Sequence, residues 1–426
     1  MRKKISVLLV IPLWVACATS AESGTVEQQL SGGETNGQFV SSKIKRDYLR
    51  SLVDESVTNT PGGPPLTIQV SASGEVLSLG GYAFPPASPG DVVFVDGWEV
   101  RFDSLLVTFD AVWLASNPDL NPADQSQTGP RVAQANGPWA IDLHKGGPLP
   151  GYGGPGEQAE RIVVLNNQNL VAGNPPFDPT VRYAFGYDVV PADPGAILVN
   201  LDPSQYADYD FMIDRGMTVL YVGTATWRGT AATCSTTDPS FSFANFPTQV
   251  RFRLGWKTPT SAINCQNPSL PGPGIGGEEH PRGVIVSPST QIVSQMTIHT
   301  DHPFWENFDS DGPPAHFDQI AAVARRQGDV WGVLLEDTFF ENYTAFPVPW
   351  RWCRADLTGF VPPDQLPRMD FEQGRFYDPT LTQPLSSYTS FRDYYDLTSH
   401  VIGSQEHLNA NGLCAVQRRY PSLPGF

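Results

Sequence analysis

The chain has 426 residues and a formal net charge of −17, three units more negative once Arg2, Lys3 and Lys4 are removed with a leader. A surface this acidic disfavours nucleic acid and anionic membrane as partners and favours solubility and cations, although colloidal stability alone accounts for net charge. Glycine (39) and proline (40) together stand well above the usual ~12 %, which argues against a helical bundle and for many short strands joined by turns.

Arg2, Lys3 and Lys4 precede an apolar run over residues 5–16 that is too short to span a bilayer and reads as a secretory signal. Cys17 follows Val15-Ala16, a small residue directly before cysteine as in bacterial lipoprotein signals, with Trp14 where those signals prefer leucine. Two routes are open: lipidation at Cys17, or ordinary cleavage near Ala18 or Ala21. Counting favours lipidation. Of the five cysteines, setting Cys17 aside leaves Cys234, Cys265, Cys353 and Cys414, an even number on an exported chain. Four cysteines allow three pairings, and neighbour pairing predicts Cys234–Cys265 and Cys353–Cys414. None sits in a C-x-x-C, which argues against a thiolate zinc site. The expected location is therefore a bacterial membrane, periplasmic or cell-surface, held by the N-terminal lipid alone.

Residues 1–17 are thus a signal and its lipidation cysteine. Residues 18–64, rich in Ser, Gly, Gln and Glu, read as a flexible tether with a short helix over 43–57. Strands are expected from residue 66, with short ones over 66–70 and 76–79. The strongest β segment covers 96–116, where Trp98, Val100 and Phe102 alternate with Glu99, Arg101 and Asp103 before a bulge near Asp110-Ala111. Further strands are predicted over 139–144, 161–165, 181–190, 197–200, 218–227, 249–256 and 284–287. Strands with one apolar face and no intervening helices imply a mainly β protein, an antiparallel β-sandwich over 65–304. Residues 305–426 form a small helical, loop-rich C-terminal region packed on it.

Two strand ends carry ligand-type side chains. Residues 291–301 alternate, so His299 and Asp301 point one way, and Pro303 stops the strand and holds His302 extended. His302 joins His299 only if the chain bends there. In 139–144, Asp142 and His144 likewise share a face before Gly146-Gly147. If both ends meet at one pole, His299, Asp301, His302 and His144 converge, with Asp142, Glu306 and His316 as possible supporting residues. Two imidazoles and one or two carboxylates suit a divalent transition metal, zinc, iron or copper, and suit calcium less. The competing reading is a set of unrelated polar residues at sheet ends.

Past Pro313-Pro314, Phe317, Ile320, Ala321 and Ala324 are spaced for an amphipathic helix over 316–326. A second helix is expected over 388–402, with Phe391, Tyr394 and Tyr395 inward. His400 and His407 then read as structural or exposed. Asp96-Gly97-Trp98-Glu99-Val100-Arg101-Phe102 together with His299 to Phe304, a D-G-W-x-V-x-F and an H-x-D-H-x-F pattern, resemble a family of uncharacterised bacterial lipoproteins. The resemblance covers most of 73–337. Some relatives appear with an acidic EF-hand-like loop after F-x-x-I-A. Here Arg326, Gly328 and Val330 stand at its ligand positions and Trp331 at its glycine, which leaves Asp337 alone, so that loop should not hold Ca²⁺.

No G-x-S-x-G, phosphate-binding glycine loop or catalytic Cys–His context occurs. Three functions of different class fit: a metal-binding surface lipoprotein, a carbohydrate- or protein-binding adhesion module, and a metal-dependent hydrolase or oxidase. Metal content separates the second from the others, and turnover separates the third from the first.

Overall fold

A computed structural model of the chain describes residues 66–229, 247–289, 291–305, 315–339, 342, 376–377 and 393–418, all within the compact unit Val40–Phe426. The protein is mainly β. In chain order the first elements are β1 (Ile68–Ser73), α1 (Glu75–Gly80), β2 (Trp98–Ala115), β3 (Arg131–Ala135), β4 (Trp139–Asp142), β5 (Leu149–Pro150) and β6 (Gln158–Leu165). Then come β7 (Arg182–Val189), β8 (Ile197–Leu198), α2 (Tyr206–Arg215), β9 (Val219–Trp227), β10 (Gln249–Trp256), β11 (Thr260–Ile263), β12 (Val284–Ile285) and β13 (Ile292–Ile298). The last third holds α3 (Asp318–Ala321), β14 (Arg325–Gln327), β15 (Val330–Leu334), β16 (Phe376–Tyr377), α4 (Tyr394–Ile402), β17 (Glu406–Leu408), β18 (Gly412–Leu413) and β19 (Ala415–Arg418).

The strands form two sheets. The smaller runs β18-β17-β13-β1-β6-β5, and the larger β14-β15-β10-β9-β2-β7-β11-β19-β16, with β3 and β4 also on β2 and β12 on β7. Pairing is mostly antiparallel, but β1–β13, β10–β15 and β4–β8 are parallel. One core lies between the sheets. Val70 and Ala72 of β1 and Met296 and Ile298 of β13 share it with Val100, Phe102, Tyr221 and Phe252 of the larger sheet. Each fully buried side chain of this size contributes roughly 1.5–3 kcal/mol.

The central strand β2 shows how the pattern works. Trp98, Val100 and Phe102 are buried while Arg101 and Asp103 are exposed. Its register against β7 shifts between Asp110 and Trp113, where Ala111 has a φ of 45°. The Asp110 carboxylate stabilises this bulge by accepting the amides of Ala111 (2.7 Å) and Gly137 (2.6 Å). On the far face Leu106 and Leu220 pack against Tyr209 and Met212 of α2, so a helix does intervene between the strands.

Other expectations are corrected by local chemistry. Residues 76–79 are helical, because Ser73 Oγ accepts the amide of Glu75 (2.9 Å) and Ser78 Oγ donates back to Glu75 O (2.7 Å). The helix expected over 316–326 is one turn, Asp318–Ala321. The chain then enters the β14–β15 hairpin, which turns at Gly328 with a φ of 62°. The helix of 388–402 begins at Tyr394, where the Asp393 side chain caps the amide of Asp396. Its Phe391, and the 43–57 helix, lie outside the described residues.

The region expected to pack on the sandwich supplies strands to both sheets: β15 pairs β10, β17 pairs β13, and β19 pairs β11. That weaving decides the disulfide. Because Ile263 lies opposite Ala415, Cys265 and Cys414 meet at the end of the ladder and are bonded, closing 149 residues. The neighbour pairing is therefore wrong for both, and Cys17, Cys234 and Cys353 lie outside the described residues. A loop of this length stabilises by roughly 5 kcal/mol in the chain-entropy account.

Candidate metal centre

The site grows from the end of β13. This strand runs parallel to β1, with Thr297 opposite Ser73, and antiparallel to β17, with Thr297 opposite His407. Met296 and Ile298 face the core. Gln295 and Thr297 face the other way and are joined by a 3.0 Å hydrogen bond. The strand ends at Ile298. Asp301 is helical (φ −84°, ψ −25°) and opens a 3-10 turn, His302–Phe304.

His302 is thus in a turn rather than extended, and Asp301 is not part of a continued strand. Pro303 sits early in the turn, where its missing N–H costs nothing. Phe304 draws the chain inward, with its ring 5.8 Å from Tyr82, 5.2 Å from Phe94 and 6.2 Å from Tyr221. This is the bend that lets His302 reach His299.

Among the described residues, His299, Asp301 and His302 each offer a ligand atom within 4.8 Å of the others. A tetrahedral shell with bonds of ~2.1 Å needs ligand atoms ~3.4 Å apart, so the side chains must close by about 1.4 Å around an ion. The hydrogen bonds fix which atoms are available. Ser404 donates its hydroxyl proton to Val401 O (2.6 Å), so its oxygen accepts from His302 Nδ1–H (2.9 Å) and leaves Nε2 with a lone pair. His299 Nε2–H donates to Ala410 O (3.1 Å), so Nδ1 carries the lone pair, 3.3 Å from Glu75 Oε2. Asp301 Oδ2 accepts Trp305 Nε1–H (2.9 Å), while Oδ1 is buried with no hydrogen-bond partner. Orphaned buried carboxylate oxygens are costly, and a cation would satisfy this one.

The electrostatics favour a neutral imidazole at His302. Burial, with His299 and His407 alongside, holds His302 well below the ordinary histidine range. Burial likewise raises Glu75 to about 7, with His299 opposing and Asp301 and Glu157 adding. Ala410 O is placed by a three-residue turn between β17 and β18 in which Asn409 (φ 49°) and Ala410 (φ 69°) are both left-handed. That conformation is uncommon outside glycine. Here Ala410 N donates to Thr297 Oγ1 (3.0 Å), and the Asn409 side chain accepts Gln295 N (2.8 Å).

No family model, curated protein or solved structure matches the chain. The residues alone therefore carry the functional argument.

The structure does not bring the expected fourth ligand, His144, into the group. His144 Nδ1 is bonded to Ser78 O (2.7 Å), and His144 is outside the His299 group. Both histidines touch α1, His299 through Glu75 and His144 through Ser78, but at different residues of that helix. Asp142 is structural. It accepts the amides of Leu105 (2.9 Å) and His144 (3.0 Å) and Gln205 Nε2 (2.5 Å), bracing β4 against β2. His316 lies beside Asp96 instead, and Glu306 is outside the described residues.

Sequence reasoning missed two neighbours. Glu75, which directly precedes the segment expected as a strand over 76–79, was not singled out. His407 was read as structural or exposed, yet its ring centroid is 4.1 Å from that of His299 and 5.9 Å from that of His302. The acid of β17 opposite Ile298, Glu406, is buried and raised to about 8 by that burial.

Proposed function

We propose that this chain is an exported lipoprotein, anchored through lipid at Cys17, that binds a divalent transition metal at His299, Asp301 and His302. The observation that carries the metal is the orphaned Asp301 Oδ1 beside two imidazoles whose remaining nitrogens carry lone pairs, that of His299 facing the Glu75 carboxyl. Zinc, iron or copper suits imidazole with one carboxylate. Ser404, Ala410 and Trp305 orient the ligands by binding the atoms that face away from the ion.

Metal analysis of the purified protein tests this reading. The expected result is one equivalent of zinc, iron or copper, lost in His299→Ala with the fold retained by circular dichroism. Unchanged metal content in that variant would sink the assignment. The anchor has its own support, the apolar run that ends in Ala16-Cys17 and the even number of remaining cysteines. Mass spectrometry of the mature N-terminus is expected to find a diacylglyceryl cysteine at position 17, and a free N-terminus at Thr19 or Glu22 rules it out.

A further inference from the structure

We infer that His407 is a third imidazole ligand, so that the centre is a three-histidine, one-aspartate site closed by β17; this rests on the metal reading above. The argument starts with protons. His407 Nε2 lies 3.2 Å from Ser404 O, and a carbonyl only accepts, so Nε2 carries the proton. The lone pair is then on Nδ1, which is buried and makes no hydrogen bond of acceptable geometry, in a residue 8 % exposed, although the Ala410 carbonyl also lies close to the ring.

The same logic placed lone pairs on His302 Nε2 and His299 Nδ1. All three imidazoles thus tie one N–H to a protein acceptor; the opposite nitrogen of His302 and His407 is left without a donor, while that of His299 faces the Glu75 carboxyl at 3.3 Å, which an ion would displace. Ser404 serves two of them, His302 through its hydroxyl and His407 through its carbonyl. Tying the outer N–H in this way is how proteins fix the tautomer and direction of metal-bound imidazoles.

Ring spacing agrees. The three centroids are 4.1, 4.8 and 5.9 Å apart. Imidazoles bound tetrahedrally at ~2.1 Å place their centroids roughly 5 Å apart. The observed values bracket that figure, but His407 lies outside the 4.8 Å group of His299, Asp301 and His302, so its side chain must rotate further than theirs to complete a shell. Three nitrogens and one oxygen favour zinc or copper over magnesium or calcium, which prefer oxygen.

The β17 pairing explains why His407 is available. Thr297 opposite His407 puts the imidazole one residue pair from the end of β13, next to where His299 emerges. A buried lone pair without a donor costs free energy, and a bound cation would offset that cost.

The test uses the full chain, titrated with Zn²⁺ against a chelator and, separately, loaded with Cu²⁺ for electron paramagnetic resonance. Wild type is expected to bind one Zn²⁺ and to show three nitrogens coupled to Cu²⁺. His407→Gln is expected to show two nitrogens and to bind Zn²⁺ more than ~100-fold less tightly, beyond the ~10–100-fold typical of losing a supporting residue. Equal affinity in His407→Gln, or weaker affinity with three nitrogens retained, overturns the role of His407 and leaves the three-residue site standing. A wild-type spectrum with two nitrogens overturns it even if the variant fails to fold. Wild type that binds neither ion removes the metal reading itself.

Discussion

Asp96→Asn is expected to make the protein more stable at pH 8 and nearly unchanged at pH 4. Asp96 is 1 % exposed and shares its burial with Asp318. Its Oδ2 accepts the amides of Phe317 (2.6 Å) and Asp318 (2.7 Å), while Oδ1 accepts nothing. Burial, reinforced by the Asp318 charge, raises Asp96 from the usual 3.8 to about 8, against the pull of those amides and of His316. The folded state therefore holds a proton between about pH 4 and 8 that the unfolded chain has released. Stability must fall as pH rises through that window, since the folded state binds more protons there. The proton belongs to the Asp96–Asp318 pair, and the effect is on the order of a few kcal/mol. Asparagine keeps an oxygen for both amides and has no proton to lose, so its stability should fall less steeply over the same range, leaving the share that belongs to the other buried acids, Glu75 and Glu406. Urea unfolding of both proteins at pH 5 and 8 measures this. Parallel pH dependences would place the proton elsewhere.

That carboxylate matters to the site because it fixes the turn carrying Phe317. Phe317 packs on Phe94 at 5.6 Å, and Phe94 packs on Phe304 of the His302 turn at 5.2 Å. Trp98, from the D-G-W-x-V-x-F stretch, donates its indole N–H to Asp318 (2.7 Å). The two motifs that stood out in the sequence are thus linked through one aromatic cluster.

The larger sheet was legible where one face is wet. β10 matches its expected range of 249–256, and β9 begins one residue late, because side chains alternate with period two and burial selects one set. The bulge at Asp110-Ala111 was legible too. What was hidden follows from long-range pairing. α1 and α2 are short, and short apolar runs do not distinguish helix from strand. The disulfide depends on β11 meeting β19, and no spacing reveals that.

The candidate centre divides the same way. His299, Asp301 and His302 are neighbours in sequence and were found there. His144 was expected there because a shared face on two strands suggested one pole, and the structure leaves it on Ser78 outside the group. His407 was missed because Ser404, which orients it, also holds His302 from 102 residues away. Glu406-His407 carries no motif, and only the β13–β17 pairing gives it meaning.

Arg282→Ala is expected to cost about 3–5 kcal/mol, the range for removing one partner of a buried ion pair. Arg282 is 1 % exposed, and its Nε lies 2.8 Å from both carboxylate oxygens of the buried Glu278, with NH2 paired to Oε1 as well. Its NH1 reaches Asn121 O (3.0 Å) and Pro118 O (3.4 Å), so one side chain ties the 117–131 loop to the segment before β12. Alanine would leave a buried carboxylate without its cation and two carbonyls without this donor. The loss should therefore exceed the value of the pair itself. A double variant, Arg282→Met with Glu278→Met, removes both charges together and keeps much of the volume. Apolar replacement of a whole buried pair is often neutral or stabilising, so the double variant should recover most of what alanine loses. Urea unfolding of wild type, Arg282→Ala and the double variant decides it. A double variant as unstable as Arg282→Ala would show that the loop depends on the hydrogen bonds to Pro118 and Asn121 rather than on an unpaired charge.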